Sequence, residues 1–144
     1  MGAFIILEDG RGWIGANWAY DAIIQSIADE LAQTNEGRAL ASWLLEQRCE
    51  VLGPGLGRVD VRELSTDSRC RFRDACRRSL DRIRARGPVG WSDPSFFPAW
   101  LVRFQHLIDM WASIDRGEPA GALNDLKGTI DPTGERHGPG WESV

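Results

Sequence analysis

The chain of 144 residues lacks any apolar run longer than five, and that run, Ala3–Leu7, has no basic segment before it. A signal peptide needs a longer apolar stretch behind a positive start, and a membrane span needs about 20 apolar residues, so neither is expected. Histidine is limited to His106 and His137, and cysteine to Cys49, Cys70 and Cys76, without CxxC spacing. Cys70 and Cys76 stand six apart on one predicted helix and cannot share a tetrahedral ion from one turn. An odd number of thiols does not make a disulfide frame. No metal and no cofactor are expected, and the thiols are read as reduced ones in a cytoplasmic protein. Lysine is nearly absent, since sixteen of the seventeen bases are arginine; that is a bias of GC-rich codons and carries no mechanism. One tyrosine stands against seven tryptophans, which bring large buried area and an indole N–H that needs a partner when enclosed.

What is present fits one folded domain. Hydrophobic residues make up 42% and charged residues 26%, ordinary values for a globular chain. A chain of this length is most simply a single domain over residues 1–144, burying roughly 68–70% of its unfolded surface without disulfide or metal. Residues 118–144 are rich in Gly and Pro and are expected to be largely irregular, with a short helical turn near Ala120–Leu126.

The net charge of −4 conceals a strong asymmetry. Residues 1–57 carry three bases and eight acids, residues 58–86 ten bases and five acids, and residues 87–144 four bases and eight acids. Phosphate repels most of such a surface, so direct nucleic-acid binding is not expected. Acidic faces suit a basic protein partner, which they steer at long range.

Periodicity predicts an α+β fold, predominantly α, with about four main helices and a small two- or three-stranded sheet. Ala3–Leu7 reads as a strand, Glu8-Asp9-Gly10 as turn chemistry and Trp13–Gly15 as the returning strand of a hairpin. Asn17 is the predicted cap of the first helix, whose apolar stripe is Tyr20, Ile23, Ile24, Ile27 and Leu31. A second helix is predicted from Gly37 to Val51, with Leu40, Ala41, Leu44 and Val51 facing one way. The alternation over Arg58–Leu64 predicts a half-buried strand. Ser65 or Thr66 caps a third helix, buried along Phe72, Cys76, Leu80 and Ile83. Ser95 is the predicted cap of a fourth helix, with Pro98 in its first turn. On that helix Phe97, Trp100, Leu101, Phe104, Leu107, Ile108, Trp111 and Ile114 form the densest apolar stripe in the chain, so Asp93–Arg116 is the expected centre of packing. Arg103, His106, Asp109, Ser113 and Arg116 fall off that stripe, with His106 on the polar side of the helix.

No strong catalytic motif appears. Gly53–Gly57 reads GPGLG, but a phosphate loop follows a strand and opens a helix, and here the order is helix, loop, strand; it reads as a connector. His106 with Asp109 three residues on could orient a general base, yet no nucleophile completes the set, and a solvated pair is the plainer reading. The third helix carries Arg69, Arg71, Arg73, Arg77, Arg78, Arg82, Arg84 and Arg86. These read either as a face for an anionic partner or as a solvated face laced by local ion pairs, and the latter is favoured. The back of the first helix sets Trp18 beside Asp21, Gln25 and Asp29, with Glu8 and Asp9 in the turn before it. An aromatic anchor amid acids is the expected partner-binding site; the plain alternative has Trp18 folding back under the N-terminal strand.

The opening GAFIILEDGRGW, the helix NWAYDAIIQSIADEL, the turn and helix GPVGWSDPSFFPAWLVRF and the tail TGERHGPGW together resemble small bacterial immunity proteins of polymorphic or contact-dependent growth inhibition toxin loci. The resemblance spans much of the chain and carries no functional residue over by position. It implies a non-enzymatic cytoplasmic protein that binds a cognate toxin domain, a basic nuclease in many such loci, and blocks it. The alternatives are a small enzyme using the His106 neighbourhood and a structural or regulatory interaction module.

Overall fold

A computed structural model describes residues 2–119, and the predicted turn near Ala120–Leu126 lies outside them. The fold is α+β and predominantly α: a three-stranded mixed sheet and five helices among the described residues, one of them only four residues long. The predicted hairpin forms from β1 (Gly2–Ile6) and β2 (Gly12–Ala16), antiparallel with Phe4 opposite Ile14. The backbone N–H of Leu7 and the carbonyl of Arg11 bond at 2.9 Å where the turn closes. β3 (Arg58–Asp60) lies parallel to β1 on its other side, giving the order β2-β1-β3. A parallel neighbour needs a long crossover, here supplied by α1 (Asn17–Leu31), α2 (Arg38–Leu45) and α3 (Cys49–Leu52).

Burial confirms the predicted stripe of α1, where Tyr20, Ile23, Ile24, Ile27 and Leu31 are all enclosed. The cap differs. Ala16 occupies the cap position, and the Asn17 side chain instead accepts the Gly55 N–H at 3.0 Å, so it spends its oxygen on a distant loop. The predicted second helix breaks at Glu46–Arg48 into α2 and α3. Leu40, Ala41 and Leu44 are buried as expected, whereas Val51, beyond the break, is 56% exposed. The strand predicted over Arg58–Leu64 stops at Asp60, because the Asp60 side chain accepts the Arg62 N–H at 3.0 Å and starts a 3-10 turn over Val61–Glu63.

α4 (Thr66–Arg86) begins at Ser65, whose hydroxyl accepts the Ser68 N–H at 3.1 Å, and ends at Gly87 with φ 75°. Asp67 in its first turn and Arg84 and Arg86 in its last oppose the ends of the helix dipole. Its predicted buried line holds, widened by Ala75 and Ser79. Ser95 does not cap the next helix. Asp93 accepts the Ser95 N–H at 3.0 Å and starts a 3-10 turn, Pro94–Phe96, that runs into α5 (Phe97–Asp115).

The centre of packing is α1 rather than α5. α1 contacts α2, α3, α4, α5 and both strands of the hairpin, whereas α5 packs chiefly on α4, α1 and β2. Arg103 and Ser113, off the predicted stripe, are buried, and so is His106, expected on the polar side. α5 is covered on a second side by the hairpin, where Trp13 donates its indole N–H to the Arg103 carbonyl at 2.9 Å and the Arg103 guanidinium lies 4.9 Å from the Trp13 ring centre. Trp100 donates to the Ala19 carbonyl at 3.0 Å and Trp111 to Glu8 at 2.7 Å, so the large aromatics find partners on two different elements.

Candidate partner-binding site

The six residues singled out on sequence fall into two groups. Glu8 and Asp9 sit at the turn of the hairpin. Glu8 accepts the Trp111 indole N–H and lies 4.0 Å from Arg73. Asp9 is gripped by the Arg11 guanidinium at 2.6 Å, and that bond holds its carboxyl below the usual carboxylate range. Arg11 itself is buried and reaches on to the Ser113 hydroxyl and the Glu118 carbonyl, so the turn is clasped to the end of α5. β2 then runs away from the turn for five residues, about 17 Å of extended chain, before α1 begins.

Trp18, Asp21, Gln25 and Asp29 stay together on α1, off its buried stripe, but most of that surface is covered. The Trp18 ring is half-buried and packs against Trp91 and Phe96, with ring centres 6.3 and 5.8 Å apart. Residues of the 88–96 segment cover it. Asp21 accepts the backbone N–H groups of Cys49 and Glu50 at 2.7 and 2.9 Å, capping α3 from a neighbouring helix. Gln25 accepts from Arg48 at 3.0 Å and donates to Asp29 at 2.9 Å. Of the four, Asp29 alone is exposed.

α4's arginines are turned largely on the molecule itself. Arg78 and Arg82 converge on Glu30, a carboxylate 5% exposed, at 3.3 and 3.0 Å. Arg73 and Arg77 face Asp115, Arg71 pairs with Asp67, Arg84 bonds Gln105, and Arg69 bonds the Val61, Leu64 and Arg62 carbonyls. The cysteines play a packing part. Burial pushes the Cys49 and Cys76 thiols up from their ordinary pKa, and Cys49 lies against Asn17 under the 53–57 connector. That connector needs Gly57: a Cβ there would come within 2.5 Å of the Tyr20 ring and 2.6 Å of Cys49 Sγ. His106 lines a groove of about 460 Å³ with Arg84, Leu101, Val102, Gln105 and Asp109, in which Asp109 accepts from Gln105 at 2.8 Å.

One surface escaped the sequence reading. The core side of the sheet is Ala3, Ile5, Leu7, Trp13 and Val59, all buried. The opposite side carries Gly2, Phe4 and Ile6 from β1, Gly12, Ile14 and Ala16 from β2, and Arg58 and Asp60 from β3, in register with Phe4 and Ile6. Phe4 is 40% exposed, and Leu56, at the head of β3, is 63% exposed. The signal was in AFIIL, which is apolar at odd and even positions alike, as in strands covered on both faces.

Among the described residues no helix is long and apolar enough to cross a membrane. Compared with models of protein families, with curated proteins and with solved structures, the chain matches none.

Proposed function

We propose that the protein is a toxin-neutralising immunity protein, acting in the cytoplasm by binding a basic toxin domain and blocking it without catalysis. The observation that carries this reading is the segregation of exposed charge. Over residues 1–57 the exposed charged side chains are Asp9, Asp29, Glu36, Glu46 and Glu50 against Arg38 alone. α4 holds the countercharge on another side of α1, with Arg78 and Arg82 drawn onto Glu30. An excess of exposed acids of this kind raises the encounter rate with a basic protein and repels nucleic acid. The resemblance to immunity proteins of toxin loci supplies the class of partner.

The groove at His106 favours a second reading, a small enzyme, since it joins a histidine, a carboxylate, a guanidinium and an apolar wall. Protection of cells separates the two. If a toxin domain is encoded beside this gene, cells expressing it are expected to grow when the chain is co-expressed, and to grow equally with His106→Ala. Growth arrest despite stable expression of the wild-type chain contradicts the immunity reading; protection lost with His106→Ala in a folded protein supports the enzyme.

A further inference from the structure

We propose that residues 88–93 form a strap that opens as a unit, with Trp91 as its latch, and that in closing it covers Trp18 of α1. The device goes beyond the function proposed above and does not depend on it. The strap joins the end of α4 to the 3-10 turn at Pro94. α4 stops at Gly87, φ 75°, and Gly90 follows with φ 88°. A Cβ at either position would meet nothing within 4 Å, so neither glycine is packed in place. Both hold a backbone conformation that glycine enters and leaves without steric cost. They give the strap its points of rotation. Of residues 88–95 only Trp91 is not exposed, and Val89 reaches 71% exposure.

Hydrogen bonds do not fasten the strap either. The Trp91 N–H donates to the Pro88 carbonyl at 3.0 Å, a bond internal to the strap, and Asp93 accepts the Ser95 N–H at 3.0 Å in the turn that follows. Among the described residues no hydrogen bond ties residues 88–93 to the sheet or to α1. The indoles show the contrast. Trp13, Trp100 and Trp111 each donate an indole N–H to an acceptor on another element. Trp91 makes no such bond among the described residues. Its ring is held by ring contacts, with centres 5.1 Å from Trp100, 5.2 Å from Phe97 and 6.3 Å from Trp18. Each contact of that kind adds only a small increment beyond the area it buries. Opening therefore breaks three ring contacts and no hydrogen bond to α1 or the sheet. Local opening is drawn from regions held in this way, by few buried contacts.

What opening uncovers is defined by the same contacts. Phe97 and Trp100 are 6% and 2% exposed with Trp91 against them. Trp18 keeps its contact with Phe96 and loses the one with Trp91. The open form bares the sides of three rings at the junction of α1 and α5, and the closed form fills that place with the chain's own indole.

The test uses the full chain labelled with 5-fluorotryptophan. Fluorine relaxation dispersion, which reads μs–ms motion, is expected to show exchange at Trp91 and Trp18 and none at Trp13 and Trp111. In Trp91→Ala the exchange at Trp18 is expected to vanish. A broad-specificity protease gives the second readout. Cleavage within residues 88–93 is expected to run about tenfold or more faster in Trp91→Ala, because the variant removes all three ring contacts that close the strap. Gly57→Ala crowds Tyr20 and Cys49 instead of the strap, and is expected to leave that cleavage rate unchanged. Circular dichroism verifies that each variant is folded. If Trp91→Ala does not fold, the wild-type fluorine measurement decides alone. Exchange at Trp91 no greater than at Trp13 and Trp111 overturns the strap. So does cleavage that Trp91→Ala leaves unchanged, or that Gly57→Ala speeds equally, since the chain then opens there only by unfolding throughout.

Discussion

Gly57 has no side chain because there is no room for one: Tyr20 and Cys49 occupy the place of its Cβ. Gly57→Ala is expected to cost about 1–3 kcal/mol, the range for forcing extra volume into a packed site, read as a lower midpoint in denaturant melts. Asp21 is the second residue whose part only the fold reveals. On a helical wheel it belongs to an exposed acidic row; in the structure it caps α3. Asp21→Ala is expected to cost about 0.5–2 kcal/mol and to speed hydrogen exchange at the Cys49 and Glu50 amides. Several carboxylates hold pKa values below the ordinary range: Asp9 through Arg11, Asp60 through Arg62, and Glu118, lowered from 4.5 to about 2, chiefly through Arg116 and then Ser113. A group whose folded pKa is depressed stabilises the fold above its unfolded pKa and loses that contribution as pH falls through the folded value. Thermal stability is therefore expected to hold at neutral pH and to fall from about pH 4.5 toward pH 2 as Glu118 protonates. Glu118→Gln is expected to flatten that acid limb; a melting temperature constant down to pH 2 contradicts the assignment.

At the level of elements, strongly periodic segments were legible and junctions were not. The stripe of α1, the Ser65 cap and the buried line of α4 depend on near neighbours in the chain, and periodicity reveals them. The break between α2 and α3 depends on Asp21, from another helix, which offers an acceptor to two backbone N–H groups. The second buried side of α5 depends on the hairpin, which encloses Arg103 and Ser113. Trp18 shows the same limit at the candidate site: the wheel places it off the apolar stripe correctly, but Trp91 and Phe96, more than seventy residues on, decide what covers it. α5 is not the hub of the fold, yet its aromatics are enclosed, with Phe104 at 0% and Trp111 at 1% exposure. Phe104→Ala and Trp111→Ala are each expected to cost about 3–5 kcal/mol in denaturant melts. A loss below about 1 kcal/mol contradicts the enclosure described here.

Across the whole molecule, charge and apolar surface are sorted. Exposed charge over residues 1–57 is mainly acidic whereas α4 is arginine-rich, and Arg78 and Arg82 converge on the buried Glu30, so the basic helix anchors the fold as well as colouring its surface. Sequence composition alone revealed the asymmetry; the pairing that consumes much of the basic side required the coordinates. The measurement that bears most directly on the proposed function is calorimetric titration of the full chain with a basic toxin domain, taken from a neighbouring gene if one is encoded there, at low and at high ionic strength. Wild type is expected to bind tightly and to weaken as salt rises, because screening reduces attraction between opposite charges. Asp29→Lys with Glu50→Lys is expected to weaken binding and flatten its salt dependence, while Arg84→Glu with Arg86→Glu leaves both unchanged. Binding that is insensitive to salt and to the acidic pair, but abolished by the arginine pair, contradicts recognition of a basic partner through the exposed acids.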